Sequence, residues 1–377
     1  MKLLCIADIH SGRTLARMDR QSELDAALAE VLQMVQEHQV DALLIAGDLF
    51  ENRDPSEAAE STLYGFFRDV WRAKVKCIVC TGNHENPKRF GTFRPFLGAC
   101  GIQIVEDVYP PGRPGTSNLV EVTDPEGAVA QIAIVPWLEP RRLAAFADDG
   151  GKAEYATVMP QVLEMVCSGF QPGKYHVLMA HLFVSGSLPG ASERALSVTD
   201  TYAVPGPALP RCDYIALGHL HRPQVPANVY SPSRYSGSLL QSDFGEAGQA
   251  KGAVLVELTP KGTKLTDLPF HSIRQLRNVS GNLEQLAELD YEPEAWLKVT
   301  VQGEPQSPSL ADRVREMLPN ALMVKVEPPE IEEERPRLSL KENSPRDLFT
   351  RYLEDKHGDA DPALVGLFDS LLEEVSV

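Results

Sequence analysis

The chain is short of positive charge: 36 lysines and arginines stand against 53 aspartates and glutamates, a formal net charge of −17. That balance excludes a protein that simply coats DNA, because phosphate binding draws on clustered Lys and Arg. A nuclease stays open, since a local basic path, a basic partner or metal ions at the reacting phosphate can supply the missing charge. Long apolar runs are also lacking. None is long enough to span a bilayer, so no membrane partner is expected. The opening "MKLLCIADIH" is a short apolar stretch cut off by Asp8 and His10, which reads as a first strand and not a signal peptide. A cytoplasmic location is therefore expected, with the six cysteines as thiols. Cys77 and Cys80 lie in "VKCIVCTG", a strand-like run whose residues three apart face opposite sides. With no second cysteine pair nearby, they read as core and not as a zinc site. There is no internal repeat and no low-complexity tract.

What is present is an alternation. From Met1 to about Phe270, "KLLCIAD", "VDALLIAGD", "VKCIVCTGN", "QIAIVPW", "YHVLMAH" and "DYIALGH" each run apolar and end in polar or small residues. Between the first two, Leu24, Ala27, Leu28, Val31, Leu32 and Val35 recur at helical spacing. Strand, helix, strand predicts an α/β layered sheet, and nearly continuous apolar strands predict that both sheet faces are covered. From residue 271 to 330 the texture changes to a small α+β unit. Its helices are "NLEQLAEL" and "SLADRVREML", and its strands "EAWLKVTVQG" and "ALMVKVEP". An acidic, Pro-bearing linker is expected over 331–343. A helical tail follows over 344–377. Ser344, Pro345 and Asp347 serve as N-cap, N1 and N3 of its first helix, and Asp361 and Pro362 start its second.

Histidine is scarce, nine residues in all, yet two of them stand one residue apart in "YIALGHLHRPQ". Residues two apart on a strand point the same way, so His219 and His221 can aim at one object. The other strand-like runs end alike: Asp8 and His10, then Asp48 after a glycine, then Asn83 and His84, then His181. Ligands of open α/β sheets collect beyond such carboxyl ends. Imidazole, carboxylate and amide oxygen without thiolate suit Mn²⁺, Fe²⁺ or Zn²⁺. Eight such residues exceed the usual complement of one ion, so two ions are expected, which can clamp a phosphate and acidify a shared water. Small residues before Asp48, Asn83 and His219 would let the backbone turn tightly under them. A lone D-x-H or "GDLF" is ordinary, and Asp48 alone could cap a helix. The ordered set D-x-H, GD, GNH, H and GHxH is specific.

That set resembles the calcineurin-like metallophosphoesterase family, over about Met1 to Phe270. The resemblance implies a layered β-sandwich core flanked by helices. It implies that Asp8, His10 and His221 bind one divalent ion, that Asn83, His181 and His219 bind the other, and that Asp48 bridges. Mn²⁺ is the expected metal. His84 would contact the scissile phosphate and act as general acid on the leaving oxygen. "ALGHLHRPQ", "RYSGSLLQSDFGE" and "SER" (Ser192 to Arg194) are similar to the nuclease subunits of SbcCD-type complexes. These are bacterial relatives of the archaeal and eukaryotic double-strand-break repair nucleases.

The implied activity is DNA phosphodiester hydrolysis by a metal-bound hydroxide, as 3′-to-5′ exonuclease and single-strand endonuclease, in DNA repair. Double-stranded ends, single strands and hairpins would be substrates, gated by an SbcC-type ABC ATPase with a coiled coil. A homodimer within a heterotetramer is also implied. Residues 271–330 would be a capping domain that positions DNA. The tail, through Leu348, Phe349, Tyr352, Leu364, Leu367, Phe368 and Leu371, would hold the ATPase, although without the resemblance such helices more often fold back on their own core. Arg194 and Arg222 are candidates for DNA contact. Lys88 and Arg89 (with Arg94, between Phe90, Phe93 and Phe96) are others, or else a solvated loop over a small core. The chain departs from the pattern at "SGR" (Ser11 to Arg13), at Glu51, where archaeal and eukaryotic relatives have a second histidine, and at Glu85, where Asp is common. A phosphoesterase acting on a nucleotide or other phosphoester, and a silent scaffold for the ATPase, are the alternatives.

Overall fold

Strands that are apolar at nearly every position form where both faces of a sheet are covered. The computed structural model describes residues 1–109, 117–139, 142, 155–190, 192–193, 195–305, 307–327 and 344–375. Within them, β1 (Lys2–Ile6), β2 (Ala42–Ala46), β3 (Lys76–Cys80) and β4 (Ile102–Val105) lie side by side and parallel. A second sheet holds β5 (Leu119–Thr123), β6 (Val129–Val135), β7 (Tyr175–His181), β8 (Tyr214–Gly218) and β9 (Ser233–Tyr235), in the order β9-β8-β7-β6-β5. It is parallel except for the β5–β6 hairpin. The chain then returns to the first sheet, where β10 (Gly252–Thr259) runs antiparallel to β1 and β11 (Gly262–Pro269) forms the edge.

Alternation along each strand sends one set of side chains to each face. Leu3, Cys5, Leu44, Ile78 and Cys80 of the first sheet share a buried cluster with Ile132, Ile134, Val177, Met179 and Ala216 of the second. Leu4, Ile6, Leu43, Ile45 and Val79 face the other way, toward α1 (Gln21–Glu37), α2 (Glu57–Arg72) and α3 (Pro87–Ala99). On α1 the buried apolar residues are Leu24, Ala27, Leu28, Val31, Met34 and Val35, the helical stripe expected of one covered face. The outer face of the second sheet is covered by α4 (Tyr155–Cys167), whose Val158, Met159, Val162 and Leu163 pack on Leu178, Ala180, Ile215 and Leu217. The layers are thus helix, sheet, sheet, helix. Each buried Leu, Ile or Val contributes roughly 1.5–3 kcal/mol. Cys77 lies on the helix side and Cys80 between the sheets, and the six cysteines, all among the described residues, are free thiols.

Beyond Phe270 come β12 (Leu276–Gly281), α5 (Leu283–Ala287), β13 (Trp296–Gln302), α6 (Pro308–Met317) and β14 (Ala321–Glu327). The three strands are parallel with helices between them, so the unit is a β-α-β-α-β run whose core holds Leu286, Leu297, Val299, Val301, Leu310 and Val314. β12 is not among the expected strands, because "LRNVSG" sets few apolar residues in a polar run. Trp296 Nε1 donates to Glu23 Oε1 at 2.9 Å, tying this run to α1.

By backbone contacts the chain divides into two units, Met1–Pro328 and Pro329–Val377. The expected linker, 331–343, lies outside the described residues. The second unit is a helical hairpin of α7 (Pro345–His357) and α8 (Pro362–Val375). Ser344 and Asp347 form a reciprocal capping box at the start of α7, Pro345 follows the cap, and Gly358 ends the helix with φ +79°. Asp361 Oδ1 accepts from Ala363 N–H at the start of α8. Phe349 stacks on Phe368 with ring centroids 4.3 Å apart, and Leu353 and Val365 are buried. Tyr352, Leu364, Leu367 and Leu371 are exposed, as is Leu348 in part. Among the described residues no helix is long and apolar enough to cross a membrane.

Candidate metal centre

Five strands deliver their carboxyl ends to one place, because β1, β2 and β3 are parallel in one sheet and β7 and β8 are parallel in the other. Just past those ends sit Asp8 and His10, Asp48, Asn83 and His84, His181, and His219 and His221, all buried. The turns are sharp. Asp8, His10, Asp48 and His219 carry φ values of 51°, 49°, 50° and 106°, a left-handed region that L-residues rarely adopt and that gathers at functional sites. The small residues serve two purposes. Gly47 has φ +89°, and a Cβ there would also strike the His181 ring. At Gly82 and Gly218 the need is for space. A Cβ at Gly82 would lie 2.1 Å from Asp48 Oδ1, and one at Gly218 1.7 Å from Ala46 O.

Two groups of donors share Asp48. Asp8, His10, Asp48 and His221 offer one atom each, all within 4.8 Å of one another, and Asp48, His181 and His219 do the same. His10 Nε2 and His221 Nε2 approach to 2.9 Å, and Asp48 Oδ2 lies 3.7 Å from His10 Nε2 and 3.4 Å from His181 Nε2. Asn83 Oδ1 completes the second group, 3.1 Å from His181 Nε2 and 3.0 Å from His219 Nδ1. His84 stands beside both groups. Its backbone N–H donates to Asp48 Oδ1 at 3.0 Å, and its Nε2 is 4.0 Å from Asp48 Oδ2.

The donor set fits divalent cations, because His181, His219 and His221 each have the second nitrogen hydrogen-bonded to a fixed partner, and His10 has a carboxylate beside its own. His181 Nδ1 donates to Ala46 O at 2.8 Å, and His219 Nε2 to Ser197 O at 3.1 Å. His10 Nδ1 meets Glu51 Oε2 at 3.0 Å, and His221 Nδ1 meets Ser192 Oγ at 2.5 Å. Ser192 passes the chain on to Glu246, which pairs with Lys251 Nζ at 2.8 Å, both side chains fully buried. The free tips therefore converge: Nε2 from His10, His181 and His221, and Nδ1 from His219.

Sequence reasoning named neither Ser192 nor Glu246 as a support for His221. It also passed over Glu193, whose Oε1 accepts from His221 N–H at 2.9 Å, and Trp137, which stacks on His219 at 4.9 Å. Glu85 turns out to be a staple, accepting from the backbone N–H of Asp48, Phe50 and Gly82 at 3.1, 3.0 and 2.6 Å.

Protonation follows from burial and from the acids nearby. Burial pushes His10 and His219 down to about 3, so both imidazoles are neutral and ready to ligate. Burial works the same way on His181, but Asp48 and Asp8 outweigh it and raise the ring to about 9. Asp48 goes the other way: burial favours its neutral form, yet His181, His84 and His10 hold it well below the usual carboxylate range. Burial lifts Asp8 to about 6, against the pull of His181 and His221.

Of the residues expected to touch DNA, Arg222, directly after His221, and Lys88, in the first turn of α3, are exposed. Arg89 is engaged by Glu60 and, at 3.5 Å, by Asp54, and Arg94 by Glu106 and Tyr109 at 2.8 and 2.6 Å. Phe90 is buried, and Phe93 and Phe96 are exposed. Arg194 lies outside the described residues.

The family model described as calcineurin-like phosphoesterase matches residues 1–223, more than half of the chain and every strand end that builds the site. The chain belongs to the calcineurin-like phosphoesterase family. A second model, described as a type 5 capsule protein repressor C-terminal domain, matches residues 270–357. This phosphoesterase is 29% identical over 392 residues to a Bacillus subtilis (strain 168) protein named as the SbcD component of the nuclease SbcCD, covering 100% of this chain and 98% of that one. Proteins of the same name from Rhodobacter capsulatus and Escherichia coli (strain K12) match at 29% over 313 residues and 26% over 325. They cover 76% and 80% of this chain and 76% and 78% of their own. Among solved structures, a dimetal phosphatase from Danio rerio aligns with a TM-score of 0.41 at 11% identity, over 71% of this chain and 98% of that one.

Proposed function

We propose that this phosphoesterase is a two-metal DNA nuclease that uses Mn²⁺ and works as the SbcD component of an SbcCD-type repair complex in the cytoplasm. The observation that carries the reading is the sharing of Asp48 by two donor groups. Asp8, His10 and His221 would hold one ion, Asn83, His181 and His219 the other, and Asp48 both. Bound divalent ions supply positive charge for the phosphoryl oxygens and a water acidic enough to attack at neutral pH. The chain's own work is to hold the scissile phosphate and move a proton. His84 keeps Nδ1 on the Glu51 carbonyl at 2.6 Å, which turns Nε2 toward Asp48; as an imidazolium it would pass its Nε2 proton to the departing oxygen. The exposed Arg222 and Lys88 would contact the DNA backbone, and the β12–β14 unit would be the capping domain.

The relatives' shared name supports a nuclease working within an SbcCD assembly; within that reading the chain would act as a 3′-to-5′ exonuclease and single-strand endonuclease, dimeric and bound to an SbcC-type ABC ATPase. The exposed Tyr352, Leu364, Leu367 and Leu371 give that partner an apolar stripe on the tail hairpin. The test incubates wild type and His84→Ala with labelled linear and single-stranded DNA plus Mn²⁺, with and without the ATPase. Cleavage by wild type and loss of about 10²–10⁴-fold in the variant are expected. Equal cleavage by both removes His84 from the mechanism, and turnover of small phosphodiesters without any DNA cleavage overturns the substrate.

A further inference from the structure

Glu51 touches the metal centre twice, with two different groups. Its side-chain Oε2 lies 3.0 Å from His10 Nδ1, and its main-chain carbonyl accepts from His84 Nδ1 at 2.6 Å. Both acceptors are held in place. The Glu51 backbone N–H donates to Ser11 O at 3.1 Å, where Ser11 and Phe50 bridge the β1 and β2 loops. The same carboxylate oxygen also accepts from Arg13 Nη1 at 3.4 Å, and Arg13 Nη2 donates to Ser192 O at 3.1 Å. An imidazole that donates from one nitrogen to a fixed acceptor has its other nitrogen assigned by default. The carbonyl sets His84 as the Nδ1–H tautomer, and the negative carboxylate 3.0 Å from His10 Nδ1, although off the hydrogen-bond line, favours a proton at the same position there. Both Nε2 atoms face Asp48, at 3.7 Å for His10 and 4.0 Å for His84, and the rings meet edge to face at 4.6 Å.

We propose that Glu51 is a positioning residue with divided duties: its carboxylate fixes His10 as a metal-binding imidazole, and its carbonyl fixes the His84 ring with Nε2 turned toward Asp48. The proposal rests on the two-metal reading of the site. It has a consequence peculiar to this geometry. A side-chain change at position 51 removes the His10 contact and spares the His84 contact, because every residue carries a carbonyl. The competing possibility is that Glu51 is itself a ligand, since His10, Glu51 and His84 lie close enough to share an ion. In that case the charge of the side chain would matter and not its ability to accept a hydrogen bond.

The experiment uses the full chain with ¹⁵N-labelled histidine, metal-free, as wild type, Glu51→Ala and Glu51→Gln. Two-bond ¹⁵N–¹H correlation spectra distinguish Nδ1–H from Nε2–H rings. Wild type should show His10 and His84 both as Nδ1–H. Glu51→Ala should lose that state at His10 and keep it at His84, and Glu51→Gln, whose amide oxygen accepts, should keep both. In Mn²⁺ titrations followed by electron paramagnetic resonance, Glu51→Ala should weaken one of two ions by about 10–100-fold and Glu51→Gln by less than about threefold. An unchanged His10 tautomer in Glu51→Ala overturns the proposal, as does a changed His84 tautomer. Equal weakening in both variants makes Glu51 a ligand. Should the alanine variant not fold, an Nε2–H form of His10 in wild type is still decisive against it. Failure of the two-metal reading would show separately, as a wild type that does not bind two Mn²⁺.

Discussion

Replacing Lys251 by methionine should cost the fold about 3–5 kcal/mol, the penalty for removing one partner of a buried ion pair. Lys251 Nζ is fully buried and donates to Glu246 Oε2 at 2.8 Å, to the His221 carbonyl at 2.7 Å and to Ser238 Oγ at 3.0 Å. Methionine fills nearly the same space without charge, so packing is kept and the loss is electrostatic. Glu246 would remain inside, still accepting from Ser242 N–H at 3.0 Å and from Ser192, with no counter-ion. In wild type, burial works to raise the Glu246 pKa, and the His221 hydrogen bond and the Lys251 charge outweigh it and hold it low. A carboxyl depressed in the folded state adds stability that is full above its unfolded value of about 4.3 and is lost as pH falls through the folded one. Without Lys251 the depression shrinks or reverses, and protonation then relieves the unpaired charge. Urea unfolding should therefore show the largest deficit at pH 7 and a smaller one at pH 5. Lys251→Met combined with Glu246→Gln should recover stability over the single variant. A deficit under about 1 kcal/mol at pH 7 would refute the reasoning, because it would put the pair in contact with water.

Gly218→Ala should destabilise by about 1–3 kcal/mol and weaken Mn²⁺ binding, because its Cβ would meet the carbonyl of Ala46 that orients His181. Calorimetry with unchanged affinity and melting would contradict the geometry. Metal binding should strengthen with pH, about tenfold per unit between pH 7 and 8.5, since His181, at about 9, must shed a proton to ligate. Isothermal titration with Mn²⁺ under anaerobic buffer reads that slope, and a flat profile would go against a protonated His181. In the tail, Leu367→Glu should leave helicity intact and abolish co-purification of the ATPase. Phe349→Ala, by unstacking Phe368, should melt the hairpin itself in circular dichroism of the full chain.

The part of the fold that could be read from the sequence was the part built from local pattern. Apolar runs ending in Asp, His or Gly-Asn-His announced β1, β2, β3, β7 and β8, because a strand buried on both faces leaves little else to write. The capping box at Ser344 and Asp347 was readable for the same reason. The division of strands between two sheets was not, since "QIAIV" and "KCIVC" carry no mark of which sheet they join. The supports of the site were hidden by separation in sequence. Ser192 lies 29 residues from His221 and 54 from Glu246, and a lone Glu or Lys reads as surface until the fold buries it. Glu51 stands out in the sequence as a departure from its relatives, but its two contacts depend on how the β2 loop passes the β1 loop, which no spacing encodes.

The central claim, two ions joined by Asp48, is tested most directly by counting Mn²⁺ on the purified chain by equilibrium dialysis and elemental analysis, wild type beside Asp48→Ala. The shared carboxylate predicts two ions per wild-type chain and the weakening of both in the variant. One ion in wild type, or a variant that loses a single ion and holds the other undiminished, would contradict it.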